Sequence, residues 1–205
     1  MEGTKLQRVE KTKKESFSLS SAEKKFCVSL AKRSIEYSFT HEGLLRLNDE
    51  ELALVPKKLL EKKACFVTLM INNKLKGCIG HLVPVQLLFK DIISNAYSAA
   101  FSDIRFNPLE EKEFESLTIE VSILTDPIDL KYSDSKDLLK KIVAGKDGLI
   151  IRKGYFSATF LPSVWEDLPK KEDFLSELCQ KAGLSPKEWQ KGDLIVQRYY
   201  AIKAK

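Results

Sequence analysis

The stretch Ala64-Cys65-Phe66-Val67-Thr68-Leu69-Met70-Ile71-Asn72-Asn73-Lys74-Leu75-Lys76-Gly77-Cys78-Ile79-Gly80 decides the reading of this chain. Its first half, to Ile71, is apolar at odd and even positions alike, which predicts a central strand covered on both faces. Asn72 and Asn73 tolerate the positive φ angles of a tight turn, so the chain returns antiparallel from Lys74 to Gly80. With a two-residue turn, Ile71 faces Lys74 and Val67 faces Cys78, which makes Cys65 a diagonal neighbour of Cys78. A slip of one residue would carry Cys78 to the other face of the sheet.

Working outward, Ser20-Ser21-Ala22-Glu23 is a capping box in front of a helix to about Phe39. Phe26, Leu30 and Tyr37 form its stripe, with Cys27, Ala31 and Ile35 beside it, and Gly43 stops it after His41. Residues 44–63 are loop and short helix, broken at Pro56, with Lys57, Lys58, Lys62 and Lys63 on a solvated rim. Beyond the hairpin, Pro84 opens a helix carrying Leu88, Phe89, Ile92, Ile93, Ala96 and Ala100 to about Phe101. Leu117, Ile119, Val121 and Ile123 alternate with Thr118, Glu120 and Ser122, the pattern of a half-buried strand. A helix over Ser135–Ala144, a hairpin turning at Lys153-Gly154, a helix over Lys171–Ala182 and a last strand over Leu194–Ile202 follow. Helices and hairpins interspersed in this order predict an α+β fold, a mostly antiparallel sheet flanked by helices.

The 205 residues suffice for a sizeable core, with 43% apolar and 31% charged residues. There is no apolar run of membrane-spanning length and no secretory signal pattern, so the expected location is cytoplasmic, without a membrane partner. Of the net charge of +5, +2 falls in residues 1–16, read as a disordered basic tail, and the remaining +3 is a weak signal for nucleic acid. Cys27, Cys65, Cys78 and Cys179 are widely spaced, and with only His41 and His81 they compose no zinc motif. Most of them are expected to be small buried groups.

Several blocks in fixed order carry a resemblance. They are Leu75-Lys76-Gly77-Cys78-Ile79-Gly80, Asn95-Ala96-Tyr97-Ser98-Ala99-Ala100-Phe101-Ser102-Asp103-Ile104-Arg105-Phe106 and Ile119-Glu120-Val121-Ser122-Ile123-Leu124-Thr125. Gly145-Lys146-Asp147-Gly148-Leu149-Ile150-Ile151, Leu161-Pro162-Ser163-Val164-Trp165 and Cys179-Gln180-Lys181-Ala182-Gly183-Leu184 complete them. The chain resembles the AMMECR-domain family, called AmmeMemoRadiSam system protein A in bacteria and archaea. It departs at Lys76, where arginine is usual, at Ile104, where proline or serine is common, and at Ser157-Ala158-Thr159. The resemblance implies one AMMECR-type domain over residues 17–205 with a larger and a smaller subdomain. It implies a Memo-like protein and a radical SAM protein as candidate partners and no firmly assigned reaction; no cofactor is expected.

Three functional readings meet at Cys78. As a nucleophile or redox thiol it needs a nearby cation or base, and Lys76, His81, Arg105 and Glu120 are the candidates. Against this stands a thiol packed between Gly77 and Gly80 beneath a helix. In the second reading Gly77-x-x-Gly80 leads towards a helix N-terminus that holds a phosphate or carboxylate, although the spacing matches no known phosphate loop and Pro84 removes a donor. In the third the chain is an adaptor or a nucleic-acid-associated module, with Tyr97, Phe101, Phe106 and Trp165 as candidate anchors. The working expectation is an enzyme or enzyme accessory binding a small anionic metabolite. Cys78 and Glu120 carry the chemistry, and Gly77, Gly80, Asp103, Arg105 and Phe106 line the cleft. No metal site is expected.

Overall fold

The computed structural model describes residues 17–205; the basic tail lies outside the described residues. Helix α1 (Ser21–Thr40) opens on the expected box, the Ser20 hydroxyl accepting from the Glu23 amide and the Glu23 carboxylate from the Ser20 amide. Its buried line is Cys27, Leu30, Ala31, Ser34 and Ile35, while Phe26 and Tyr37 are only half-buried. The stripe is turned because Ser34 donates to the Ile93 carbonyl (2.9 Å), a satisfied buried hydroxyl at the contact between helices. Helix α2 (Asp49–Ala53) and a turn at Lys57–Leu60 follow. Lys63, expected on a rim, is buried with its ammonium 2.8 Å from Asp126.

Two four-stranded antiparallel sheets replace the single sheet of the sequence reading. The first runs β2 (Lys74–Gly80), β1 (Cys65–Ile71), β3 (Leu117–Leu124), β8 (Ala201–Ala204). The second runs β4 (Ile128–Asp129), β7 (Ile195–Tyr199), β5 (Gly148–Lys153), β6 (Phe156–Phe160). On the first sheet Cys65, Val67, Leu69, Val121 and Ile123 are buried under α1 and α3 (Leu88–Phe101). The opposite face of β1, with Phe66 and Thr68, is half-open, so the strand is covered on one side and not on both. A separate, smaller core holds Leu149, Ile151 and Val196 beneath α5 (Lys171–Lys181), with α4 (Ser135–Lys141) beside it. Trp165 stacks on Phe174 there, ring centroids 3.7 Å apart, which makes it core and not an exposed anchor.

Two chain crossings join the sheets. β3 continues through residues 125–127 into β4, and β7 continues through Tyr200 into β8. The last strand is therefore two strands in different sheets. Reciprocal bonds pin this corner: the Thr125 amide donates to the Tyr200 carbonyl and the Tyr200 amide to Thr125 Oγ1, both at 2.9 Å. Ala64, Leu124 and Tyr199 fill a small apolar contact beside it, and the two sheets border a common cavity lined by Leu124 of β3 and Ile150 of β5.

The hairpin departs from the sequence reading at one residue. Asn72 and Asn73 have φ of 50° and 60°, and Ile71 faces Lys74 as expected. Lys76 is then extra: Met70 faces Leu75 while Leu69 faces Gly77, a β-bulge. Cys78 consequently faces Thr68 rather than Val67, on the side away from α3, and the expected nearness to Cys65 is lost. The next helix also starts later than Pro84. Lys62 pairs with Leu87, and the Leu88 amide donates to the Glu61 carbonyl at 2.8 Å, so the segment before Leu88 is held as non-helical chain.

Candidate functional site

Strand β2 forms an edge of the first sheet, and its alternation assigns neighbouring residues to different tasks. Gly77 is turned to α3, where a Cβ would lie 1.9 Å from the Ala99 carbonyl oxygen. Gly80 lies against the Phe66 ring and the Cys65 carbonyl, at 2.4 Å from a Cβ to each. Both glycines thus serve close packing. The helix N-terminus that was to complete an anion cradle lies at Leu88, with its first amide taken by Glu61. The helix start thus lies eight residues beyond Gly80, and its first amide is not free for an anion.

Between the glycines, Cys78 is held through its backbone. Its amide donates to Asp103 Oδ2 at 2.9 Å, and its carbonyl accepts from the Arg105 guanidinium at 2.9 Å. Asp103 is buried and also accepts from Arg105 Nε and Nη2, at 2.9 and 2.7 Å, and from the Arg105 amide. These bonds, Arg105's above all, hold the Asp103 carboxyl far below the usual carboxylate range and raise Arg105 above its own. Phe106 lies under the guanidinium, 5.3 Å from ring centroid to Arg105 Cζ. The loop of Asp103 and Arg105 is thus a clip that satisfies the free edge of β2 at one residue.

Because both polar backbone groups of Cys78 point outward, its pairing with Thr68 is of the non-hydrogen-bonded kind, in which side chains lie close. Cys78 Sγ is 3.3 Å from Thr68 Oγ1. Thr68 in turn faces Glu120 on β3, so Cys78, Thr68 and Glu120 form a row across the sheet. At adjacent-strand spacings the backbones of Cys78 and Glu120 are about 10 Å apart, with Thr68 between them. Glu120 is 2.8 Å from the Lys205 ammonium and 3.3 Å from that of Lys203, and accepts from the Ser122 hydroxyl. Burial raises its pKa, but the two lysines outweigh burial and leave it below the ordinary value. Glu120 is therefore an ionised, lysine-paired carboxylate rather than a base in contact with the thiol.

Leu161, Pro162 and Ser163 from the second subdomain close a cavity of about 70 Å³ over this row, with Lys203 at its wall. Cys78 is the one cysteine of the four that is not buried. Burial pushes the Cys27 thiol up to about 12 and raises Cys65 and Cys179 as well. Among the described residues, no three His, Cys, Asp or Glu side chains cluster as metal ligands.

The pattern described by the AMMECR1 family matches residues 28–204. The chain belongs to the AMMECR1 family. Protein TK0174 of Thermococcus kodakarensis is 38% identical over 86% of this chain and 86% of its own length. A protein of Methanosarcina acetivorans is 40% identical over 85% and 87% of the two chains. The crystal structure of uncharacterized protein PH0010 from Pyrococcus horikoshii superposes with a TM-score of 0.75 at 35% identity, covering 91% of this chain and 93% of that one.

Within this AMMECR1 chain the expected residues separate into groups. Cys78, Asp103, Arg105 and Phe106 are assembled around one strand edge, and Glu120 stands across the row from them. Two expected helpers are elsewhere. Lys76 pairs with Glu113 at 2.8 Å. His81 Nδ1 lies 2.7 Å from buried Asp91 on α3, which also accepts from the Cys65 amide and Asn95. Thr68, Lys203 and Lys205 were not singled out in the sequence. Thr68 becomes visible once the bulge is placed; the lysines sit at the chain's end, where only the β3–β8 pairing brings them to Glu120.

Proposed function

We propose that this AMMECR1-family chain receives a small anionic group in the cleft over the open face of its first sheet and presents Cys78 to it, as an enzyme or an enzyme's accessory. The observation that carries this reading is the partial exposure of Cys78, alone among the cysteines, on the wall of a cavity bounded by both subdomains. Lys203 and Lys205 set two cations against the single Glu120, and Thr68, Ser122 and Ser163 add hydroxyls at the cavity wall. About 70 Å³ is room for a head group and not for a whole metabolite, so the remainder of the ligand extends out along the cleft.

The test is alkylation of the native protein followed by peptide mass spectrometry. Cys78 is expected to react alone, and Cys27, Cys65 and Cys179 only after unfolding. Anionic iodoacetate should gain on neutral iodoacetamide relative to their ratio with free cysteine. A Cys78 that stays unmodified until denaturant is added refutes the reading. The adaptor alternative, with Memo-like and radical SAM proteins as partners, has Ile104 in its favour: it is 99% exposed on the loop that the Asp103–Arg105 clip holds. Copurification with such a partner that survives Ile104→Asp would remove that surface from consideration.

A further inference from the structure

A second, larger cavity of about 400 Å³ lies between the sheets and shares only Leu124 with the Cys78 cavity. One wall is the open face of the second sheet, where Ile150 faces Thr159 and Arg152 faces Ser157 across the β5–β6 pair. The facing wall is the non-helical segment Leu82-Val83-Pro84, with Val83 64% exposed. Leu124 and Ile150 extend the apolar lining, and the volume is that of an ordinary small-molecule site.

The charges of this cavity do not cancel. Lys181 donates to the Thr159 carbonyl at 3.0 Å and lies 5.0 Å from the centre of the Phe160 ring, but meets no carboxylate among the described residues. The Arg152 side chain makes no hydrogen bond or ion pair with another of the described residues. Asp126, the acidic group of the lining, is engaged by Lys63. The Thr159 and Tyr199 hydroxyls are bonded to each other and to the Leu149 and Phe160 carbonyls, so they define the wall without requiring a ligand. What is left is an apolar trough with two cations, Arg152 and Lys181, in its lining.

The geometry points to a binding site for a small amphipathic carboxylate, its acid group on Arg152 and Lys181 and its hydrocarbon body against Val83, Leu124 and Ile150. Guanidinium and ammonium groups together favour a carboxylate through charge-assisted bonds. The apolar wall excludes strongly hydrated small anions as complete ligands, because they would leave it wet. The site is independent of the Cys78 reading, since the two cavities differ in lining and in charge partners.

Calorimetric titration of the full chain with octanoate tests this. One saturable site is expected, with octan-1-ol bound at least tenfold more weakly, and hexanoate weaker than octanoate by about fourfold per methylene. Arg152→Gln and Lys181→Gln lie at exposed positions, so folding is not at issue, and each should weaken octanoate by roughly tenfold. Saturating octanoate should leave the rate of Cys78 alkylation unchanged. Absence of saturable binding at millimolar octanoate, equal binding of the alcohol, unaltered affinity in both variants, or shielding of Cys78 each overturns the proposal.

Discussion

Gly77 and Cys78 are chain neighbours on β2, yet they belong to two unlike surfaces. Gly77 presses the strand against α3 so closely that a methyl group would overlap the Ala99 carbonyl oxygen. Cys78 faces a cavity, its thiol touching one hydroxyl while a carboxylate and a guanidinium hold its backbone. The inner surface is fixed by sterics and apolar burial, the outer by charge and hydrogen bonds. The bulge at Lys76 decides which residue meets which surface. A chain with the same composition and a regular hairpin would bring the thiol to the helix and the glycine to the cleft.

The most severe way to break this division is Gly77→Ala. The obstacle at 1.9 Å is backbone, which cannot swing aside as the end of a side chain can. Either β2 or α3 must move, and the expected cost is about 3 kcal/mol or more, at the upper end of overpacking effects. Urea denaturation with an unchanged slope would measure it. A variant within about 0.5 kcal/mol of wild type would show that the close approach carries no stability.

The clip on the other surface comes next in size. Asp103→Asn keeps the shape but removes the charge that Arg105 and the Cys78 amide are bonded to, with an expected loss of about 2 kcal/mol near neutral pH. Because Asp103's carboxyl is held below its unfolded value, its contribution is fully present above about pH 4 and is lost as pH falls through the folded value. The stability gap between wild type and Asp103→Asn should therefore be flat above that pH and narrow below it. A gap that persists at pH 2, or one that widens there, would contradict a charged clip.

The inner surface was far more legible in the sequence than the outer one. The capping box of α1, the apolar periodicity of α3 and the alternation of β3 are local patterns, and each element stands where its pattern puts it, apart from the start of α3. The α+β class followed from their order. The bulge was not legible, because no residue in Leu75-Lys76-Gly77 specifies one; it is imposed by the need to set the residue without a Cβ under α3. The division into two sheets was hidden in the same way, since residues 194–202 have the pattern of a single strand and only the Thr125–Tyr200 corner divides it. For the site, Cys78, Asp103 and Arg105 were visible as residue types and family blocks. Their arrangement as a backbone clip, and the lysines beside Glu120, depend on contacts distant in sequence.

The smallest perturbation asks what holds the bulge in register. Lys76, the extra residue, sets its ammonium 2.8 Å from Glu113, with both side chains partly exposed. If that ion pair selected the register, Lys76→Met would free the hairpin to slip, carrying Cys78 inward and shielding its thiol. If the fit of Gly77 under Ala99 and the Asp103–Arg105 clip select it, the register survives without the pair. The two surfaces make the second outcome the expected one, because a slip would push a larger side chain against the Ala99 carbonyl and detach the Cys78 amide from Asp103. Lys76→Met should then cost less than about 1 kcal/mol, as partly exposed pairs do, and the cost should shrink further in high salt. Alkylation of Cys78 should keep its native rate. A large fall in that rate, with the fold intact, would transfer control of the register from the packed glycine to the ion pair.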